Sequence, residues 1–168
     1  ETDDKALAEQ DLSAAAGLAE ARQDLHAIGR TANNIGMLAF HRGDLNAAAE
    51  AWARAADAKA RTGDLRGERI GRHNRGLALR ELGRIAEATA AASDAATLSE
   101  QIGDEVGRAT AALAKAQLAL DAGQTTAAGA ALATFAAVSW KPAMVAADGR
   151  LVQVRLALAK GRGEEAAK

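Results

Sequence analysis

Residues 23–48 read QDLHAIGRTANNIGMLAFHRGDLNAA, and the elements of this stretch return at fixed distances along the chain. Asn34-Ile35-Gly36 is matched by Asn74-Arg75-Gly76, and a glycine recurs every 20 residues, at Gly43, Gly63, Gly83, Gly103 and Gly123. Glycine supplies the left-handed residue that closes a helix, and an aspartate placed after it caps the next helix. Each unit is therefore interpreted as one helix and a tight turn, and two units as a helical hairpin.

The composition between the glycines favours helix throughout. The chain of 168 residues contains 48 alanines, one proline and only 2% aromatic residues. Alanine is the strongest helix former, whereas strands are rich in the β-branched and aromatic residues that are scarce here. We predict an all-α protein with helices at about 5–22, 25–42, 45–62, 65–82, 85–101, 105–122, 125–140 and 144–160.

The motif in residues 23–48 resembles a known repeat. Ala32-Asn33-Asn34-Ile35-Gly36, followed by Gly43-Asp44 and Ala48, is similar to the elongated tetratricopeptide repeat, about 40 residues long, of bacterial regulators and adaptors. The resemblance implies a right-handed superhelical solenoid of antiparallel helical hairpins. It treats residues 1–168 as a single array, with a partial repeat at 3–22, repeats at 24–62, 64–102 and 104–142, and a partial repeat at 144–168.

The same resemblance implies a function. Tetratricopeptide proteins are interaction scaffolds, so we expect a non-enzymatic module that binds a peptide or a partner helix in a concave groove formed by the first helix of each hairpin. The residues expected to line this groove are Arg30, Asn33, Asn34, Met37, His41, His73, Asn74, Leu77, Arg80 and Gln117. Asn34 and Asn74 occupy equivalent positions, and their amides both donate and accept hydrogen bonds, as the backbone of a peptide requires.

Several classes of function find no support in the sequence. The net charge of −1 provides no basic field for nucleic acid, and the absence of cysteine excludes disulfides and thiolate-ligated metals. His26, His41 and His73 show no metal-ligand spacing, and no nucleophile stands beside a base. We therefore expect no catalytic residues, no metal and no cofactor. No apolar run reaches the length of a membrane span, so we expect no insertion into a membrane.

Two columns of the repeat predict packing. Ala48, Ala88 and Ala128 are expected where the helices of a hairpin touch. The column of Ile35 continues as Arg75, Lys115 and Arg155, where the family pattern calls for an apolar residue. We expect long side-chain stems between the helices, with charged heads in water or beside an acidic neighbour. A bound phosphate or other anion is the alternative for this column.

The ends of the chain leave its context open. It begins without Met and stops within a hairpin, so we expect either a slice of a longer array or an array whose ends are covered by a partner or by self-association. A larger regulatory or signalling protein of the bacterial cytoplasm is the expected host. Two alternatives remain. One is an exported, periplasmic assembly factor or pilotin-like adaptor, and the other is a sensor domain with a closed effector pocket near His73 and Arg80.

Overall fold

The computed structural model describes residues 2–161, with side chains at Leu7 and from residue 9 onward, and this part of the chain is helical without any strand. The all-α prediction is confirmed. The helices are α1 (Thr2–Ala21), α2 (Leu25–His41), α3 (Leu45–Arg61), α4 (Leu65–Glu81), α5 (Ile85–Gln101), α6 (Glu105–Asp121), α7 (Thr125–Ala137) and α8 (Ala143–Ala159). No helix of the described residues combines the length and the apolar character needed to cross a membrane.

The turns between the helices are built as the glycine period predicts. All five glycines of the period have a positive φ, between 65° at Gly103 and 79° at Gly43. One period earlier, Gln23 takes the same conformation with a φ of 52°. Where an aspartate follows the residue with positive φ, the aspartate carboxylate accepts a hydrogen bond from the backbone N–H three residues later. One example is the bond from the Ala47 N–H to Asp44 (3.1 Å). These side chains satisfy a backbone donor that a helix start leaves unpaired.

The chain divides into two compact units, with the boundary between Leu82 and Gly83. In the first unit α2 packs against both α1 and α3, α3 packs against α4, and α2 touches α4. In the second unit α6 is central and packs against α5, α7 and α8, while α7 also contacts α8. Consecutive helices within each unit are therefore neighbours in space, as in a helical repeat.

Small residues allow these helices to approach closely. Ala48, Ala88 and Ala128 are all 0% exposed, which confirms that the predicted packing column is buried. A Cβ added to Gly36 would lie 2.7 Å from the indole nitrogen of Trp52, so α2 and α3 meet with the indole lying against bare backbone. The Trp52 ring also packs against Phe40, with ring centroids 5.5 Å apart. In the second unit the Phe135 ring fills the corresponding space beside Gly149.

Two predicted helix bounds differ from the structure by three residues, because α1 begins at Thr2 and not at about residue 5, and α7 stops short of residue 140. Helix α7 was expected to reach residue 140 but ends at Ala137, and Val138 is extended with ψ 120°. Val138 is 6% exposed and belongs to the same buried cluster as Leu132 and Phe135. Burying this side chain takes the chain out of the helix before Pro142, which in any case disfavours helical backbone in the residue that precedes it.

Substitution of the buried alanines tests this packing. We expect Ala48→Leu and Ala88→Leu each to lower the free energy of unfolding by about 1–3 kcal/mol, because the added carbons have no space to occupy. Ala60→Leu and Ala90→Leu, at exposed positions of the same two helices, should change it by less than about 0.5 kcal/mol. Urea unfolding measures both sets, and equal losses at buried and exposed sites would contradict the assignment.

Candidate functional site

A cleft of about 380 Å³ opens in the first unit among α2, α3 and the start of α4. It brings together three of the predicted groove residues with residues of the following helices. The lining residues are Gly29, Arg30, Asn33, Asn34, Ala55, Lys59, Asp64, Arg66, Gly67 and Ile70. We call this surface the α2–α4 cleft.

Lys59 forms the floor of the α2–α4 cleft. Its stem passes between two glycines, because an added Cβ would lie 2.9 Å from Lys59 Cε at Gly29 and 2.8 Å from Lys59 Cδ at Gly67. The Lys59 ammonium, on a side chain only 18% exposed, donates to Asp64 Oδ2 at 2.9 Å. The absence of side chains at the two glycines thus leaves room for the lysine stem and lets the ammonium reach its partner.

Asp64 is fully engaged by its neighbours. Its second carboxylate oxygen accepts the Gly67 N–H at 2.8 Å and so caps α4. The hydrogen bond from Lys59, followed by that from Gly67, holds the pKa of Asp64 below its ordinary value. The carboxylate is therefore ionised at neutral pH, and it neutralises Lys59 rather than the other cations of the cleft.

The remaining charges of the α2–α4 cleft are positive. Arg30 and Arg66 are both exposed, and neither forms a side-chain hydrogen bond or an ion pair within the described part of the chain. Beside them lie the amides of Asn33, half-buried, and Asn34, exposed, and the side chain of Ile70, 38% exposed. The cleft can therefore offer two guanidinium groups, two amides and one apolar contact to a ligand.

The other predicted groove residues lie outside this cleft. Met37 and His41 are exposed further along α2. On α4, His73, Asn74, Leu77 and Arg80 are all half-buried, and Gln117 is half-buried on α6 in the second unit. Sequence reasoning missed Lys59, Asp64 and Arg66, because it considered only one face of the first helices. The available signal was the Lys-Asp pair that spans the turn between α3 and α4.

A second cavity, of about 330 Å³, opens in the second unit among α5, α6 and α7. Four of its nine lining residues are alanines, and its charged side chains are Glu100, Arg108 and Lys115. Lys115 belongs to the basic column and is half-buried. In the same column Arg155 donates to Asp121 at 2.8 Å, so the expectation of an acidic neighbour is confirmed there.

His73 differs chemically from an exposed histidine. Burial, together with the positive charge of Arg69, lowers its pKa from 6.5 to about 4. The imidazole is therefore neutral at physiological pH, and it becomes charged in the folded protein only in acid.

This shift predicts a dependence of stability on pH. Between pH 6.5 and about 4 the unfolded chain binds a proton that folded His73 does not, so the free energy of unfolding should fall by roughly 3 kcal/mol across that window. In His73→Gln this component should be absent. Urea unfolding measures the free energy of unfolding of both proteins. The difference between the wild type and His73→Gln should be constant above pH 7 and should change as the pH falls from 6.5 to about 4. Parallel curves throughout would show that His73 is not shifted.

Comparison with known proteins does not assign the chain to a family. It matches no protein-family model. No curated protein is significantly similar to it.

Proposed function

We propose that this chain is a non-enzymatic protein-interaction module, a tetratricopeptide-like solenoid within a larger bacterial regulatory or signalling protein. Its ligand would be an extended, acidic segment of a partner, held in the α2–α4 cleft. Two features support the proposal of an interaction scaffold. They are the repeat of one helix per 20 residues and the packing of each helix against its neighbour within each unit. The charged and polar side chains of the α2–α4 cleft support the proposed class of ligand.

The observation that carries the proposal is the pair of exposed guanidinium groups of Arg30 and Arg66, which form no hydrogen bond or ion pair among the described residues. Asp64 neutralises the buried Lys59 (2.9 Å), which leaves the two arginines as the net charge of the cleft. A guanidinium presents donors in a fixed fork that matches the two oxygens of a carboxylate. Two such groups at one cleft fit a ligand with aspartate or glutamate side chains.

The charge of the surrounding helices has the same sign. Helix α2 contains no acidic residue, and α2 and α4 together carry six arginines against two glutamates. This excess stands out in a chain whose total charge is −1. A positive surface attracts acidic segments and excludes basic ones, so it favours one class of partner before any close contact is made.

The amides and Ile70 complete the recognition. Asn33 and Asn34 can pair with the backbone of an extended ligand, independently of its side chains. Each neutral hydrogen bond contributes only about 0.5–1.5 kcal/mol net, so the charged contacts and apolar burial on Ile70 must supply the rest. The expected ligand is an acidic segment with an apolar residue near its carboxylates.

A second candidate function is sensing of a small anionic effector, favoured by the cavity of the second unit. Lys115 and Arg108, both on α6, line this cavity together with four alanines, and they outnumber its one acidic residue, Glu100. An apolar molecule with one carboxylate would suit this surface. Binding of such a molecule that is lost in Lys115→Ala and retained in Arg30→Ala would favour this candidate.

Peptide selection tests the main proposal. Short random peptides selected on the immobilised 168-residue chain should be enriched in aspartate and glutamate. The double variant Arg30→Ala with Arg66→Ala should bind the selected peptides at least about tenfold more weakly, because two charge-assisted contacts are lost. Fluorescence anisotropy with the labelled peptides measures the change.

The charge-matched control is Arg42→Ala with Arg54→Ala. These two exposed arginines lie in the same unit but outside the cleft, where they pair with Glu9 and Glu20. Their removal lowers the net charge equally and should leave the affinity nearly unchanged. Equal weakening in both double variants would point to a diffuse charge effect, and selected peptides without acidic residues would overturn the proposed ligand.

A further inference from the structure

Half of the exposed large apolar side chains of the described residues lie in the last part of the second unit. Helix α8 carries Met144, Leu151, Val154 and Leu158, whose exposed fractions are 77%, 64%, 38% and 57%. With the half-buried Ala147 these residues follow one another at alternating spacings of three and four. We call this set the α8 stripe.

The spacing of the α8 stripe is that of a helix-pairing seam. Apolar residues at alternating intervals of three and four keep one narrow line along a helix, which packs against a second helix by knobs into holes. The opposite side of α8 is already used, because Gly149, Val152 and Leu156 are buried in the second unit. The stripe is thus a second apolar face on the same helix, and its residues Met144, Leu151 and Leu158 are more than half exposed.

We propose that the α8 stripe pairs with the α8 stripe of a second copy of this chain, with the two helices antiparallel. This interface goes beyond the α2–α4 cleft and does not depend on it. Two observations select the occupant and its direction: the sizes of the side chains along the stripe, and the charges on its flanks.

The side chains complement one another when the stripe is reversed. In an antiparallel pair Ala147 of one copy faces Leu158 of the other, and Leu151 faces Val154. Ala147, the smallest residue of the stripe, then faces a leucine and not a second alanine, so the seam contains no gap at that position. The two-fold axis repeats each contact, so one stripe supplies both halves of the interface.

The flanking charges favour the antiparallel direction. Asp148 and Arg155 lie on one flank of the stripe and Arg150 lies on the other, all three exposed. In an antiparallel pair Asp148 of each copy lies beside Arg155 of the other. In a parallel pair Arg150 of each copy would lie beside Arg155 of the other, which is repulsive. Arg155 already donates to Asp121 at 2.8 Å, but its five donors can serve two carboxylates.

Sedimentation equilibrium of the 168-residue chain tests the pairing. The wild type should reversibly form a dimer, and Leu151→Asp should raise the dissociation constant by about 100-fold or more, because a charge would be buried in the seam. Leu18→Asp is the control, since Leu18 is similarly exposed (58%) but lies on α1. It should leave the dimer unchanged. Thermal unfolding verifies that Leu151→Asp folds, and Leu158→Asp provides a second variant with the same expected loss.

The absence of native cysteine allows the direction to be tested by crosslinking. Ala147→Cys and Leu158→Cys proteins, one carrying a size tag, are mixed and oxidised. An antiparallel seam should give disulfides between the two different variants and few within either variant alone. Disulfides formed readily by each variant alone would overturn the antiparallel direction. A wild type that stays monomeric at every concentration, or a dimer that Leu151→Asp does not weaken, would overturn the interface.

Discussion

Close approach of the helices is the constraint on which the rest of this structure depends. Twenty of the thirty buried apolar residues of the described chain are alanines. A methyl group is short, so two helices that meet through alanines must come close together before water is excluded between them. The few large core residues then need places without a side chain, and the glycines within the helices provide them. Trp52 lies against Gly36, and the stem of Lys59 lies beside Gly29 and Gly67.

The same constraint explains how much could be predicted. The helices, the turns and the buried column of Ala48 and Ala88 follow from local spacing, because a glycine at a fixed interval determines where each helix ends. The α2–α4 cleft could be predicted only in part, since α2 contributes Arg30, Asn33 and Asn34 whereas its floor comes from α3. The pairing of Lys59 with Asp64 across a turn depends on the rotation of α3 and α4 about their axes. That rotation is determined by the packing of the whole unit. The pKa of His73 has the same origin, since it depends on burial that no local pattern specifies.

The chain combines two surfaces of opposite chemistry on separate units. The α2–α4 cleft is polar and cationic, and the lysine on its floor lies in space that two glycines leave open. The α8 stripe is apolar, nearly linear and supported from behind by a packed face. A polar cleft suits a ligand that binds transiently, because charged contacts increase the association rate and are screened by salt. An apolar seam suits a more persistent assembly. Under the proposed function and the proposed pairing, a dimer brings two copies of the same ligand site together.

The helix starts of the two units are not equally secured. Aspartate side chains cap α2, α3, α4 and α6, whereas Arg84 before α5, Gln124 before α7 and Pro142 before α8 provide no such bond. Backbone amides at an uncapped start have no fixed acceptor and exchange their protons with solvent through local fraying. The first turns of α5, α7 and α8 should therefore exchange hydrogen for deuterium sooner than those of the capped helices. In the second unit, which carries the α8 stripe, three of the four helix starts can thus fray, whereas the three helices that form the α2–α4 cleft all begin at a capping aspartate.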